Sequence, residues 1–146
     1  MQDFHVRPGE TAVFTKTVGE TDVYLFAGIT GDFAPNHVNR AFMERTRFGR
    51  LQAHGALLVG FMSTVAGMIA MRTPPEANEV AVALGYDRVR FLAPVFLGDT
   101  VTTRYRVTSV DPERRRATAD VEAHNQDGTL VAVATHILAW VKNPPA

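Results

Sequence analysis

The sequence contains no cysteine. Disulfides, thiol nucleophiles and cysteine-ligated metal centres are therefore excluded, and the composition is compatible with the cytoplasmic location expected here. Neither sign of charge is in excess, since 15 Lys and Arg balance 15 Asp and Glu. No global field draws the chain to nucleic acid or to an anionic membrane, although a local basic patch for a phosphorylated ligand stays open. No spacing of the His-Glu-x-x-His kind supports a metal site, and no cofactor is expected. The N-terminal residues Met1 to Pro8 have no apolar core, so no signal peptide is read there. There is one long uncharged run, from Gly55 to Met71. It approaches the ~20 residues needed to span a bilayer. It is bounded by His54 and Arg72 and interrupted by Gly, Ser and Thr, so it is expected to be a buried helix rather than a membrane anchor.

What is present suits a globular fold. The 146 residues, 46% of them hydrophobic, fit one domain spanning 1–146. Thr11 to Val18 has the Val/Phe/Thr content of a strand. Thr17-Val18-Gly19-Glu20 matches a capping box, so a short helix through Val23, Phe26 and Ala27 should follow and end at Gly28 and Gly31. The segment through His37 reads as a loop, Val38 to Arg45 as another short helix, and Phe48-Gly49-Arg50 as a turn. A long helix is expected from about Ala53 to Met71. Its small residues, Ala53, Ala56, Gly60, Ser63, Gly67 and Ala70, form one stripe at helical spacing. Large apolar residues flank that stripe, so the helix is expected to be buried nearly all round. Thr73-Pro74-Pro75 should stop it.

The remainder alternates with the period of strands. Val80 to Val95 is apolar and broken by Gly85 and Pro94. Val101, Thr103, Tyr105 and Val107 share one face, and so do Ala117, Ala119, Val121 and Ala123. Asp111-Pro112-Glu113-Arg114 and Asn125-Gln126-Asp127-Gly128 have turn chemistry. Leu130 to Val141 is apolar on both faces and should lie inside the sheet. The fold class expected is α+β, one antiparallel sheet wrapped over one long helix.

Asp32 and His37 stand out as candidate chemistry. A carboxylate and an imidazole held around one water can move the protons that addition of water to a carbon–carbon double bond requires. By spacing alone, helix capping by Asp32 and a surface His37 are the commoner outcomes of such a pair. The surrounding residues say more. Thr30-Gly31-Asp32-Phe33-Ala34-Pro35-Asn36-His37-Val38-Asn39, then Ala41-Phe42, Arg47-Phe48-Gly49 and Ala53-His54-Gly55-Ala56-Leu57, resemble the signature of the MaoC-like dehydratases, the (R)-specific enoyl-CoA hydratases. Tyr86-Asp87-Arg88-Val89-Arg90-Phe91-Leu92-Ala93-Pro94-Val95 and Gly98-Asp99-Thr100-Val101 resemble the same family's sheet segment.

The resemblance implies a hot dog fold, a homodimer or higher assembly of dimers, and an acyl thioester, on CoA or acyl carrier protein, as substrate near the subunit interface. It implies that Asp32 and His37 grip the catalytic water and that the Gly55 backbone N–H meets the thioester carbonyl. Gly55 lies in the first turn of the long helix, where N–H groups lack partners and the dipole is positive. An oxyanion donor of that kind is worth about 3–4 kcal/mol. Ser63 falls where some relatives have a serine near the substrate, although packing explains it as well. The family pattern reads Asp-x-Asn-Pro-x-His, and here Ala34 occupies the asparagine position. An asparagine stands instead at Asn36, a candidate substrate-binding residue whose side chain is expected to point away from that role. Arg114-Arg115-Arg116 could bind the CoA phosphates, although an exposed basic hairpin is more often simply solvated, and Arg88 and Arg90, on one face of a strand, are comparable candidates. His54 is read as a cap or brace for the long helix, and His124 and His136 as structural. A thioesterase on the same fold, or a non-catalytic acyl-thioester-binding protein, is the alternative.

Overall fold

The computed structural model describes residues 4–144. Its chain order is β1 (Thr11–Thr17), α1 (Glu20–Thr30), α2 (Pro35–Val38), α3 (Arg40–Met43), α4 (Gly55–Ala70), a 3-10 turn at Pro75–Ala77, β2 (Glu79–Phe91), β3 (Thr100–Asp111), β4 (Arg116–His124) and β5 (Leu130–Lys142). The strands form one sheet in the order β1-β3-β4-β5-β2, with every neighbouring pair antiparallel. This is the hot dog arrangement that the resemblance implies. β5 lies between β4 and β2, as its two apolar faces require.

The core forms where two periodicities meet. Leu58, Phe61, Met62, Val65 and Ile69 of α4 are buried together with Val101, Tyr105 and Val107 of β3 and with Ala119, Val121 and Ala123 of β4. Each large side chain so covered contributes about 1.5–3 kcal/mol. The alanines of β4 keep the sheet surface shallow, so α4 can settle onto it. Beyond the helix end, Thr73 hydrogen-bonds the Ala70 carbonyl at 2.8 Å, and the Trp140 indole N–H donates to Thr73 Oγ1 at 2.7 Å. The helix stop is thereby tied to β5.

Several expectations are corrected. The capping box of α1 is two residues later than read. Gly19 is the N-cap and Asp22 accepts its N–H at 2.8 Å, whereas Thr17 ends β1 with its hydroxyl on Thr100. The expected helix over Val38 to Arg45 is two single turns, α2 and α3, joined at Asn39, whose side chain caps the second. His37 accordingly sits in a helical turn and not in a loop. Nor is α4 buried all round. Ala56, Gly60 and Ser63 of the small-residue stripe are exposed, and Gly67 and Ala70 are half-buried. A stripe without bulk suits close approach, but within one chain nothing covers it. α4 has 16 residues, and no helix among the described residues is long and apolar enough to cross a membrane.

The basic hairpin is not simply solvated. Arg115 reaches back to pair with Glu79, which also accepts from His5 at 2.6 Å. Arg88 and Arg90 do not share a regular strand face either. Two register shifts break β2, and Arg88 adopts a positive φ of 53°, which re-aims the side chains that follow.

His136 is structural, as read. It is fully buried on the inner face of β5, 2.9 Å from the Tyr105 hydroxyl. Burial pulls its pKa down to about 4 from 6.5, so it is neutral in the folded state near neutrality. The unfolded chain takes up a proton first as pH falls. Stability from this residue is therefore complete above about pH 6.5 and is lost progressively toward about pH 4, by at most about 3 kcal/mol. Burial also works to raise the Glu79 carboxyl, but hydrogen bonds from Arg115 and His5 hold it below its ordinary range, so its loss comes at lower pH. Urea unfolding of the wild type at stepped pH should show stability falling between pH 6.5 and 5, and His136→Gln should flatten that limb.

Candidate active site

The site is built by a chain reversal. Gly31 ends α1 at φ 81°, a left-handed conformation that glycine adopts without strain. The chain then turns back, and Asp32 closes a local turn by accepting the Ala34 N–H at Oδ1, 3.2 Å away. Pro35 starts α2 at N1, where its fixed φ suits a helix start and its missing N–H costs nothing. That single turn carries Asn36 and His37. The Asp32 side chain is 51% exposed and that of His37 10%, with Oδ2 and Nε2 4.0 Å apart. The gap is too long for a direct hydrogen bond and right for one shared water, which would bond both at an angle of about 90°. His37 is thus not a surface histidine.

Two backbone carbonyls hold the imidazoles. His37 Nδ1 lies 2.8 Å from the Gln52 carbonyl oxygen. A carbonyl only accepts, so Nδ1 carries a proton, and Nε2 is turned toward Asp32. Gln52 returns the contact, its backbone N–H donating to the Asn36 carbonyl at 2.9 Å, and it is bridged in turn to Phe96. His54 occupies the N-cap of α4 but makes no side-chain cap. Instead its Nε2 lies 2.9 Å from the Asp32 carbonyl, and its ring stacks on His37 with centroids 3.7 Å apart and planes 23° apart. It braces the turn that carries His37 while the helix starts beside it.

Asn36 corrects the expectation for its side chain. Nδ2 lies 3.2 Å from His37 Nε2, so the amide faces the imidazole. Both residues line a cavity of about 410 Å³, together with Gly55, Leu58, Phe91 and Pro94. Gly55 opens α4, so its N–H has no acceptor within the helix. A Cβ at this position would meet the Phe91 ring at 2.7 Å, and only glycine allows that approach.

Ser63, Arg88 and Arg90 do not line this cavity. Ser63 is exposed on α4, and Arg90 turns back to the Val89 carbonyl. The basic side chain that does line it is Arg47, whose guanidinium lies 4.8 Å from the centre of the Phe48 ring. Gln52 and the wall from Phe91 to Val95 were also missed as site residues. Gln52 acts through its backbone, which leaves no side-chain pattern to read, whereas Arg47-Phe48 was visible within the motif and simply not weighed. Asp32, His37 and His54 bring ligand atoms within 4.8 Å of one another. The Asn36 amide aims a donor at the same point, which favours a water or an acceptor there over a cation.

Comparison with known proteins follows the same lines. The model of the MaoC like domain family matches residues 3–129. An (R)-specific enoyl-CoA hydratase of Rhodospirillum rubrum is 41% identical over 114 residues, 77% of this chain and 74% of the relative. A 3-hydroxybutyryl-CoA dehydratase of Methylorubrum extorquens is 40% identical over 110 residues, 75% of this chain and 65% of its own. Among solved structures, an (R)-hydratase from A. caviae involved in PHA biosynthesis superposes with a TM-score of 0.81 at 29% identity, covering 95% of this chain and 98% of that one.

The brace is testable apart from any activity. His54→Phe keeps an aromatic stack on His37 but leaves the Asp32 carbonyl without its donor. Chemical denaturation should show a loss of about 1–3 kcal/mol, and an unchanged midpoint would remove His54 from the support of this turn.

Proposed function

The chain belongs to the MaoC-like domain family, and from that premise and its site we propose that it reversibly hydrates a trans-2-enoyl thioester to the (R)-3-hydroxyacyl thioester. The observation that carries the reading is the pairing of Asp32 Oδ2 with His37 Nε2 at 4.0 Å beside the free N–H end of α4. In the hydration direction a water bound between the two groups gives up a proton as its oxygen attacks C3. Charge then develops on the thioester oxygen, where the Gly55 N–H and the positive end of the helix dipole stabilise the enolate. The proton held by the pair is delivered to C2, so no net proton is consumed.

The apolar walls Leu58, Phe91 and Leu92 suit an acyl chain, and Arg47 is the nearby cation for a phosphorylated carrier. We further propose that the chain works as a homodimer. β2 is a free sheet edge of 13 residues with Val80, Leu84 and Phe91 exposed. Unpaired edges of that length are normally covered, and the bare small-residue stripe of α4 supports the same reading. Sedimentation should give twice the chain mass.

Activity is tested by loss of enoyl absorbance with crotonyl-CoA and longer enoyl-CoA esters. Asp32→Asn and His37→Gln should each keep the fold and lower kcat by about 10²–10⁴-fold. Thiol release, followed in parallel, should stay at background. Turnover by thiol release without hydration would make the protein a thioesterase and overturn the reading.

A further inference from the structure

We propose that Asn36 is a positioning residue that takes over, from two residues further along the chain, the place left by the asparagine absent at position 34. The inference rests on the hydratase reading above and concerns how His37 is held. Ala34 has no polar side-chain atom to offer, and its backbone N–H is already given to Asp32. Asn36 lies on the single turn of α2, anchored on one side by Pro35 at N1 and on the other by the Gln52 N–H on the Asn36 carbonyl. That anchoring directs its amide at His37 Nε2, 3.2 Å away.

The proton inventory assigns the direction of this bond. Nδ1 gives its proton to the Gln52 carbonyl at 2.8 Å, and in the neutral imidazole that leaves Nε2 with a lone pair that accepts. The amide must therefore present Nδ2, since Oδ1 would set two acceptors against each other. Two contacts, one at each ring nitrogen, then fix both the tautomer and the rotation of the imidazole, and the stack on His54 fixes its plane. At 3.2 Å the amide bond is at the long end of its range, so an arriving water can share the same lone pair. Asn36 also lines the cavity, where its second N–H and Oδ1 remain available to that water.

The test combines kinetics with nitrogen-15 NMR of the His37 ring. Asn36→Ala should lower kcat for crotonyl-CoA roughly 5- to 20-fold, the size of one hydrogen bond, with KM changed less than about twofold. The ring shifts should move from a single Nδ1–H tautomer toward a mixture. The double variant Ala34→Asn/Asn36→Ala should recover part of kcat and the single tautomer, which a merely structural role for Asn36 does not predict. Asn36→Leu, of similar volume, serves if the alanine variant is unstable. Unchanged kcat and an unchanged tautomer in a folded variant overturn the proposal. If wild type hydrates no enoyl-CoA, the functional reading fails by itself, and the tautomer then decides on Asn36 alone.

Discussion

The site depends on the exchange of two hydrogen bonds between the turn at Asn36-His37 and the backbone of Gln52. His37 Nδ1 is bonded to the Gln52 carbonyl, and the Gln52 N–H to the Asn36 carbonyl. α2 has four residues, far too few to be stable as an isolated helix. Its geometry is borrowed from Gln52, which is bridged to Phe96, while the next residue, Ala53, donates to the Val95 carbonyl. The turn at Asn36-His37 is therefore fastened to the same segment that forms the cavity wall and leads into β3. Together with the His54 stack and its bond to the Asp32 carbonyl, that fastening keeps the imidazole 4.0 Å from the carboxylate.

Function then follows from an asymmetry of environment. Asp32 is half exposed and reaches the site from a turn, whereas His37 is buried and clamped. One partner is free to meet water and the other is held to a single tautomer, a division that suits proton transfer through one bound water. The helix behind them contributes twice. Its N-cap residue, His54, supports the turn by stacking and by a bond to the Asp32 carbonyl, and its first residue, Gly55, lines the cavity. A Cβ at position 55 would meet the far end of the Phe91 ring at 2.7 Å, so the start of the helix packs directly against the apolar wall.

Much of this was legible in the sequence where periodicity is strong. The apolar run of α4 and the alternation of β3 and β4 led to the observed layers, and the motif from Thr30 to Asn39 contains the Asp32 and His37 side chains that the fold brings to 4.0 Å. The rest escaped for physical reasons. α2 and α3 are single turns, too short for a helical period to register. The bulges of β2 at Gly85 and Arg88 shift side chains between faces, so Arg88 and Arg90 looked paired and are not. Gln52 works through backbone atoms, which every residue has. The exposure of Ala56, Gly60 and Ser63 inverts the burial read for α4, because apolar pattern does not say whether the covering surface belongs to the same chain. Asn36 was noticed but turned the wrong way, since its direction is set by the contacts of Gln52 rather than by its neighbours.

At the centre stands the claim that Asp32 and His37 act from one side on a single water. Enzymatic hydration of crotonyl-CoA in heavy water, with the product configuration at C2 and C3 read by proton NMR, tests it most directly. Delivery of hydroxyl and deuteron by one pair on one face predicts a single syn adduct with the (R) configuration at C3. An anti adduct, or deuterium scrambled between the two positions at C2, would contradict it.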